Sequence, residues 1–218
     1  TGKAVWNVNK NLKFQGTVGT DMNNMSFVEF IARTTPGASA GKLINQKFEN
    51  RTLNAEILAL YNNTWGDFDF NATVGANIFK VDNLTSTFTG IDQQMKDVIA
   101  IMNYSEQSVQ QDMYRKQINS VFASASIGYL NTYFLEMTMR SDQSSTLPVQ
   151  NNVYFYPSVS GSWVFSEYLK DRRYLSYGKL RASWAQVGSD TDPYQLALNY
   201  STGKYSYPGY TIGMINSN

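Results

Sequence analysis

The sequence contains neither cysteine nor histidine among its 218 residues. These two absences exclude a disulfide scaffold, thiol chemistry, zinc sites built on Cys or His, and histidine-based catalysis. Charged residues make up only 16% of the chain and the formal net charge is +1, so charge gives no reason to expect a nucleic-acid partner. The mean hydropathy is −0.37, and no apolar run approaches the roughly 18 residues that a membrane-spanning helix needs.

What the chain has is aromatic residues in alternating patterns, with 15 Tyr, 12 Phe and 4 Trp. Alternation of apolar and polar side chains is typical of strands with one apolar and one polar face. It predicts about eight strands and an all-β, antiparallel fold. The low mean hydropathy is compatible with a transmembrane barrel, because barrel strands need only one apolar face to cross a membrane. Six of the predicted strands are residues 11–20, 25–32, 51–61, 68–78, 153–165 and 179–184. The other two form a hairpin within residues 116–140, with a return strand that includes Leu135 to Arg140.

The predicted connections alternate in length. Tight turns near Asn23, Asn63 and Asn131 alternate with long segments at residues 34–50, 80–115 and 141–152. Short turns at one end and long loops at the other are typical of bacterial outer-membrane barrels.

Aromatic residues gather near the predicted strand ends, where an amphipathic ring at a membrane boundary would place its apolar body in lipid. The alternative is that the rings fill a soluble β core. The predicted membrane-interface aromatics are Tyr61, Trp65, Tyr129, Tyr133, Trp163 and Trp184.

Three blocks occur in order within residues 133–188: LEMTMRSDQSSTLP at 135–148, YFYPSVS at 154–160 and GKLRASWAQVG at 178–188. They resemble the barrel of SusC/RagA-like TonB-linked outer-membrane transporters, the nutrient importers of Bacteroidetes-type bacteria. The resemblance is most specific from residue 117 to 194 and covers mainly strand and turn rhythm upstream. It implies that residues 1–218 form part of one outer-membrane barrel domain, an arc of a wall of about 22 strands.

The same resemblance implies active import of oligosaccharides or peptides across the bacterial outer membrane, driven through TonB, with a SusD-like surface lipoprotein as a lid. We expect the plug domain and the TonB-contact segment to lie outside this chain. Residues 1–6 show no signal peptide, which fits either a protein that is not exported or an internal piece of a longer one. We expect no catalytic residue, no metal and no cofactor. The residues expected to face the lumen are Glu136, Thr138, Arg140, Arg181 and Ser183.

Two other functions fit the pattern: a secreted all-β sandwich that binds glycans or acts as an adhesin, and a passive porin. A glycosidase would need two carboxyl groups at a defined distance, and the acidic residues are scattered along the chain. Residues 91–102 match an amphipathic helix that either packs on its own rim or docks a partner.

Overall fold

The computed structural model describes residues 1–37, 39–96, 98–168, 175, 177–188 and 190–195, and the backbone of 200–207 and 210–215. Eight strands form one antiparallel sheet in sequence order, and two more form a separate hairpin. In the described part of the chain, no helix is long and apolar enough to cross a membrane. The strands are β1 Gly2–Asn7, β2 Leu12–Ile31, β3 Lys42–Trp65, β4 Phe68–Gln93, β5 Tyr104–Tyr129, β6 Tyr133–Ser144, β7 Val153–Trp163, β8 Leu180–Ala185, β9 Tyr200–Tyr207 and β10 Tyr210–Ile215. Short 3₁₀ turns occupy Ile101–Asn103, Val149–Asn151 and Phe165–Tyr168.

The central strands are unusually long. Strands β4 and β5 have 26 residues each, against about 5–6 for a typical strand. They pair from Phe68 with Tyr129 to Gln93 with Tyr104, and β3 pairs with β4 along its whole length. The ladder therefore satisfies the backbone polar groups of these strands over a long distance.

The two ends of the sheet differ in their connections. At one end, called the tight-turn end, residues 8–11, 66–67 and 130–132 link successive strands. Gly66 has φ +60 there, a backbone conformation that glycine adopts without strain. At the other end, the loop end, the connections are residues 32–41, 94–103 and 145–152. The connection between β7 and β8, residues 164–179, is long although it lies at the tight-turn end.

Cross-strand pairing places the apolar and polar residues of each strand on opposite sides of the sheet. Ala59, Val74, Ala123 and Met139 lie side by side on what we call the apolar face. The intervening residues form the polar face, for example Ser124 beside Thr138. We call residues 12–19, 54–65, 68–79 and 118–129, with β1 and β6–β8, the belt. The continuation of β2–β5 toward the loop end, residues 20–31, 42–53, 80–93 and 104–117, is the rim.

Nothing in the described residues covers the apolar face. Val121 is 61% exposed and Ile57 59% exposed, whereas the only buried hydrophobic side chains described are Leu43, Tyr104 and Val164. A soluble sandwich would bury such a face against a second sheet. The single layer therefore argues against the sandwich alternative.

The predicted strands all fall on strands of the structure, but β1 and most of the rim were not predicted as strand. The two predicted strands at 11–20 and 25–32 are one strand, β2. Asn23 is not in a turn: it lies in the middle of β2 and pairs with Asn50. The predicted turns near Asn63 and Asn131 fall at residues 66–67 and 130–132.

The predicted long loops are mostly strand. Residues 42–50, 80–93 and 104–115 are paired in the rim, which leaves loops of 32–41 and 94–103. The helix predicted at 91–102 is wrong, because β4 runs through Gln93 and β5 resumes at Tyr104. The side chain of Asn103 instead bonds the backbone of Met95 and Val98. Those bonds satisfy loop polar groups that a helix would have paired internally.

Candidate functional site: the polar face of the belt

The five residues predicted to face a lumen share the polar face of the belt. Ser160 of β7 pairs with Glu136 on one side and Ser183 on the other. The Thr138 hydroxyl lies 2.5 Å from the Ser158 hydroxyl in the next row. Arg181 pairs with Ser162. The structure therefore brings these side chains onto one surface, and their role as a lumen lining stays a prediction.

Arg140 is held by three partners on this face. Its Nε donates to Asp142 Oδ1 at 2.7 Å, and a terminal nitrogen donates to Ser120 Oγ at 2.8 Å. Its guanidinium carbon lies 5.7 Å from the centre of the Phe122 ring. These contacts hold the Arg140 side chain against its neighbours on the polar face.

Near the tight-turn end the polar face forms an open groove of about 500 Å³. Its charged lining consists of Asp69, Glu136, Lys179 and Arg181. The ion pairs of the described residues are Arg115–Asp82, Lys116–Asp190 and Arg140–Asp142, and none of them includes a charged residue of the groove. Both signs of charge are therefore available in the groove to a polar solute. Amides and hydroxyls also line the groove: Asn62, Asn63, Thr64, Asn71, Ser126, Ser160 and Ser162. The remaining lining residues are Ile127, Gly128, Phe134 and Leu135.

The chain after β8 turns back across the polar face. Gln186 N donates to Pro157 O of β7 at 3.0 Å, and a Cβ added at Gly188 would meet the Tyr156 ring at 3.0 Å. Asp190 then reaches Ser144 Oγ of β6 at 2.7 Å and Lys116 Nζ of β5 at 2.8 Å. Residues 186–188 and Asp190, the crossing segment, thus narrow the space above this face.

Asp190 is the anchor of the crossing segment. Burial raises the pKa of its carboxyl, but the hydrogen bonds from Lys116 and Ser144 and the Lys116 charge lower it by more, so the pKa lies below its usual value. The Lys116 and Asp190 side chains are only 16% and 19% exposed. This pair is therefore less screened by solvent than a surface ion pair.

Most of the predicted interface aromatics meet at the tight-turn end of the apolar face. Tyr129 stacks on Phe68 with ring centres 4.5 Å apart and lies 6.5 Å from Tyr133, which lies 6.5 Å from Trp163. Trp65 stacks on Phe70 at 5.7 Å, and Tyr61 lies 6.1 Å from the same ring. Trp184 stands apart, paired with Val159 on the apolar face of β8.

Sequence reasoning missed several members of these clusters. Phe70 joins Tyr61 to Trp65, and Trp6 of β1 stacks on Phe14 at 5.9 Å. Alternation could have identified Phe70, since it shares the parity of Phe68. No local signal joins Lys116 to Asp190, which are 74 residues apart.

The acidic residues considered for catalysis remain dispersed. Asp142 and Asp190 bond basic partners, and Asp69 accepts from Thr64 at 2.8 Å. Among the described residues, no group of three or more His, Cys, Asp or Glu side chains could hold a metal ion. Asp190 and Asp192 have a spacing that also occurs in calcium loops. In this structure the Asp190 carboxylate forms an ion pair with Lys116.

Solved structures share this fold. The chain superposes on the structure of the RagAB peptide transporter with a TM-score of 0.86 at 15% sequence identity. It also matches the RagAB peptide importer in the "closed-closed" state with a TM-score of 0.85 and in the "open-open" state with 0.78. Each match covers 99% of this chain and 24–25% of the other. No protein-family model and no curated protein matches the sequence.

The chain thus spans about a quarter of the length of the chains it matches. At this level of identity the comparison establishes the fold and confirms the predicted one, an antiparallel sheet that corresponds to a segment of a barrel wall. The neighbours are transporters rather than enzymes.

Proposed function

We propose that this chain is part of the wall of a TonB-dependent importer in a bacterial outer membrane. The observation that carries the proposal is a single-layered sheet with an exposed apolar face and a polar opposite face. Lipid is the environment in which an exposed apolar face of this size is stable, and a pore is the environment for the polar face. The structural neighbours, a peptide transporter in three structures, support the same function.

The height of the apolar face fits a bilayer. On β4 its apolar residues run from Phe68 to Ile78, about 34 Å at roughly 3.4 Å per residue. At the strand tilt of about 40° found in transmembrane barrels, this length corresponds to a height of roughly 26 Å, close to the usual apolar band of about 25 Å.

Residues 1–218 would be one arc of a larger barrel. In the described residues, β1 and β8 each pair on one side only, and an open sheet edge is not stable in hydrocarbon. Further strands of a longer chain, which would also carry the plug and the TonB-contact segment, would complete the wall. The neighbours' greater length agrees with this proposal.

In this arrangement the polar face lines the passage. The short turns would lie in the periplasm and the rim outside the cell, as in other outer-membrane barrels. Glu136 and Arg181 in the groove, with Thr138, Arg140 and Ser183, would then contact the solute. The crossing segment would narrow the passage on the outer side.

A lid partner would meet the loop end. In the loop at residues 94–103, Met95 is 61% exposed, Ile99 57% and Met102 84%. These side chains do not pack on the rim, so they are available for an apolar contact with another protein. A SusD-like surface lipoprotein is the partner that we propose there.

For the substrate we propose peptides ahead of oligosaccharides. The groove offers both signs of charge together with amides and hydroxyls, which suits the termini and backbone of a peptide. The solved neighbours are named as a peptide transporter. Neutral oligosaccharides would use the amides and hydroxyls and leave the charges unpaired.

The first test is electrophoresis of the native protein, extracted with detergent, with and without boiling, and detected with an antibody against residues 133–188. A large intact barrel would give a band far heavier than this chain that shifts on heating. A water-soluble band of about 25 kDa that heating does not move would contradict the proposal, since the chain mass is 24.6 kDa.

The second test is uptake of labelled peptides and labelled oligosaccharides by cells that carry the protein. Active import predicts that an uncoupler of the proton gradient abolishes accumulation. Persistence of uptake after uncoupling would indicate a passive porin. Replacing Glu136 with Gln and Arg181 with Gln would reduce peptide uptake more than oligosaccharide uptake.

A further inference from the structure

Charged side chains on the apolar face of the described strands occur only in the rim. Three basic residues lie in its first two rows. Lys80 follows Ile78 on β4 and pairs with Leu53 and Gln117. In the next row Asp82 lies between Arg51 and Arg115. We call Arg51, Lys80 and Arg115 the basic cluster.

The basic cluster keeps an excess of positive charge. Asp82 is the one carboxylate in those two rows, and its contact with Arg115 is 3.4 Å long between side chains 54% and 63% exposed. Such an exposed pair is weak and exchanges readily with another anion. Glu49, in the next row, lines the same pocket as Arg51 and Arg115, and Lys47 follows it on the same face. The three cations of the cluster therefore meet two carboxylates, which leaves one positive charge in excess at the edge of the apolar belt.

Directly below the cluster, on the same face, small side chains leave an apolar groove of about 560 Å³. Ala4 pairs with Gly16, Gly16 with Ile57, and Ile57 with Ala76, which gives the groove its floor. Ile78 borders it at the end nearest Lys80. Two residues along a strand span about 7 Å, so the groove and the cluster adjoin.

We infer that the basic cluster and this groove together bind a phosphate-bearing lipid of the outer leaflet. The phosphate lies against Arg51, Lys80 and Arg115, and an acyl chain lies in the groove. Basic residues at a membrane surface attract anionic lipid headgroups, and the groove buries apolar surface of the chain. The inference rests on the proposed function, because the apolar face must lie in lipid.

The position favours a lipid over an acidic protein as the occupant. The cluster is continuous with the apolar face, where a lipid presents its phosphate directly above its chains. The opposite end of this face carries aromatic residues such as Tyr129, Tyr133 and Trp163 and no charged residue on the described strands. The site is therefore specific for one leaflet.

The test is native mass spectrometry of the full-length protein in neutral detergent, titrated with diphosphoryl lipid A or with phosphatidylcholine. In the first variant Arg51, Lys80 and Arg115 are all replaced with Gln. Its control replaces Lys3, Lys10 and Lys13 with Gln: it removes the same charge, and these residues lie on the polar face or in the first tight turn. We expect the first variant to lose about tenfold or more in lipid A affinity and the control to be unchanged.

A second variant tests the groove. A Cβ at Gly16 would have no atom within 4 Å, so Gly16→Leu places a side chain in the open groove. We expect it to weaken lipid A binding several-fold and to keep the barrel's heat-dependent mobility. Equal lipid A binding by the wild type and both variants would overturn the site, and so would an equal preference for phosphatidylcholine. The heat-dependent mobility of the same samples reports separately on the proposed barrel.

Discussion

The belt and the rim are built from the same strands and differ in their sequence patterns. Strands β2–β5 run through both without a break in pairing. In the belt, one face is apolar and the other polar. In the rim, the same apolar face carries charged residues among isolated apolar ones such as Val109, which is 71% exposed. The charged residues are Lys47, Glu49, Arg51, Lys80, Asp82, Asp92 and Arg115.

The difference shows that alternation is set by the environment of each face rather than by the strand itself. Backbone pairing is the same in both regions, so β-structure alone does not require an apolar side. Lipid on one side and water on the other would impose the alternation in the belt. In the rim, water on both sides would impose no alternation of apolar and polar side chains.

The largest expected effect comes from placing a charge on the apolar face. Val74 of β4 in the belt and Val109 of β5 in the rim lie on the same face of the sheet and are both exposed, by 55% and 71%. Val74→Arg should reduce the free energy of unfolding by about 2–4 kcal/mol, as for an arginine near the bilayer midplane, because Val74 lies near the middle of the apolar stretch from Phe68 to Ile78. Val109→Arg should change it by less than about 0.5 kcal/mol.

The measurement is denaturant unfolding of the full-length protein refolded into phospholipid vesicles, followed by tryptophan fluorescence. Equal effects of the two substitutions would remove the distinction between belt and rim. A large effect of Val109→Arg alone would place the lipid around the rim instead.

The two faces within the belt should also respond differently to added volume. At Gly75, on the polar face, a Cβ would lie 2.5 Å from Phe122 Cζ and 2.6 Å from Leu58 Cδ2. Gly75→Val should therefore destabilise the protein by about 1–3 kcal/mol. Gly161, on the apolar face, has no atom within 4 Å of its added Cβ. Gly161→Val in the same unfolding assay should be neutral, and a matching loss there would show that the apolar face is packed.

Two ion pairs near the boundary between belt and rim offer a smaller contrast. Asp190→Asn removes the charge that Lys116 and Ser144 hold at short distance. It should lower the local free energy of opening of residues 186–195 by about 1–2 kcal/mol, measured by hydrogen exchange. Asp82→Asn, in the exposed pair with Arg115, should change the local free energy of opening of the strands that carry this pair by no more than about 0.5 kcal/mol.

The Asp190 contact also predicts a pH dependence. The folded-state pKa of Asp190 is lowered, so its contribution is fully present above the unfolded pKa of about 3.9 and is lost as the pH falls through the folded value. The free energy of opening of the crossing segment, taken from hydrogen exchange corrected for the intrinsic exchange rate at each pH, should be constant from pH 7 to about 5 and decrease below about 4. A decrease already at pH 6 would implicate another group.

The sequence predicts the belt more accurately than the rim. In the belt, period-two alternation located the start of β4 at Phe68 and the turn between β5 and β6 near Asn131. The same alternation placed all five predicted lumen residues on one face. In the rim, asparagine and threonine residues interrupt the alternation of apolar and polar side chains. Asn is a common turn residue because its side chain bonds nearby backbone, so Asn23 was taken for a turn.

The rest of the site depends on contacts that local patterns do not encode. The crossing segment is positioned by Lys116 and Ser144, which come from two other strands. The helix predicted at 91–102 matched the period of a helix, but strand pairing through Gln93 and Tyr104 left too little chain for it. Long-range pairing therefore overrides a local periodicity at the loop end.

The smallest predicted effect tests the rim at Asn23. Because this residue pairs with Asn50 in the middle of β2, Asn23→Thr introduces a better strand former and should stabilise the rim, within the roughly 1 kcal/mol range of strand propensities. A turn at this position would instead be destabilised by threonine, since turns favour asparagine. Hydrogen exchange of residues 20–31 distinguishes the two: slower exchange in the variant supports a continuous strand, and faster exchange would return Asn23 to a turn.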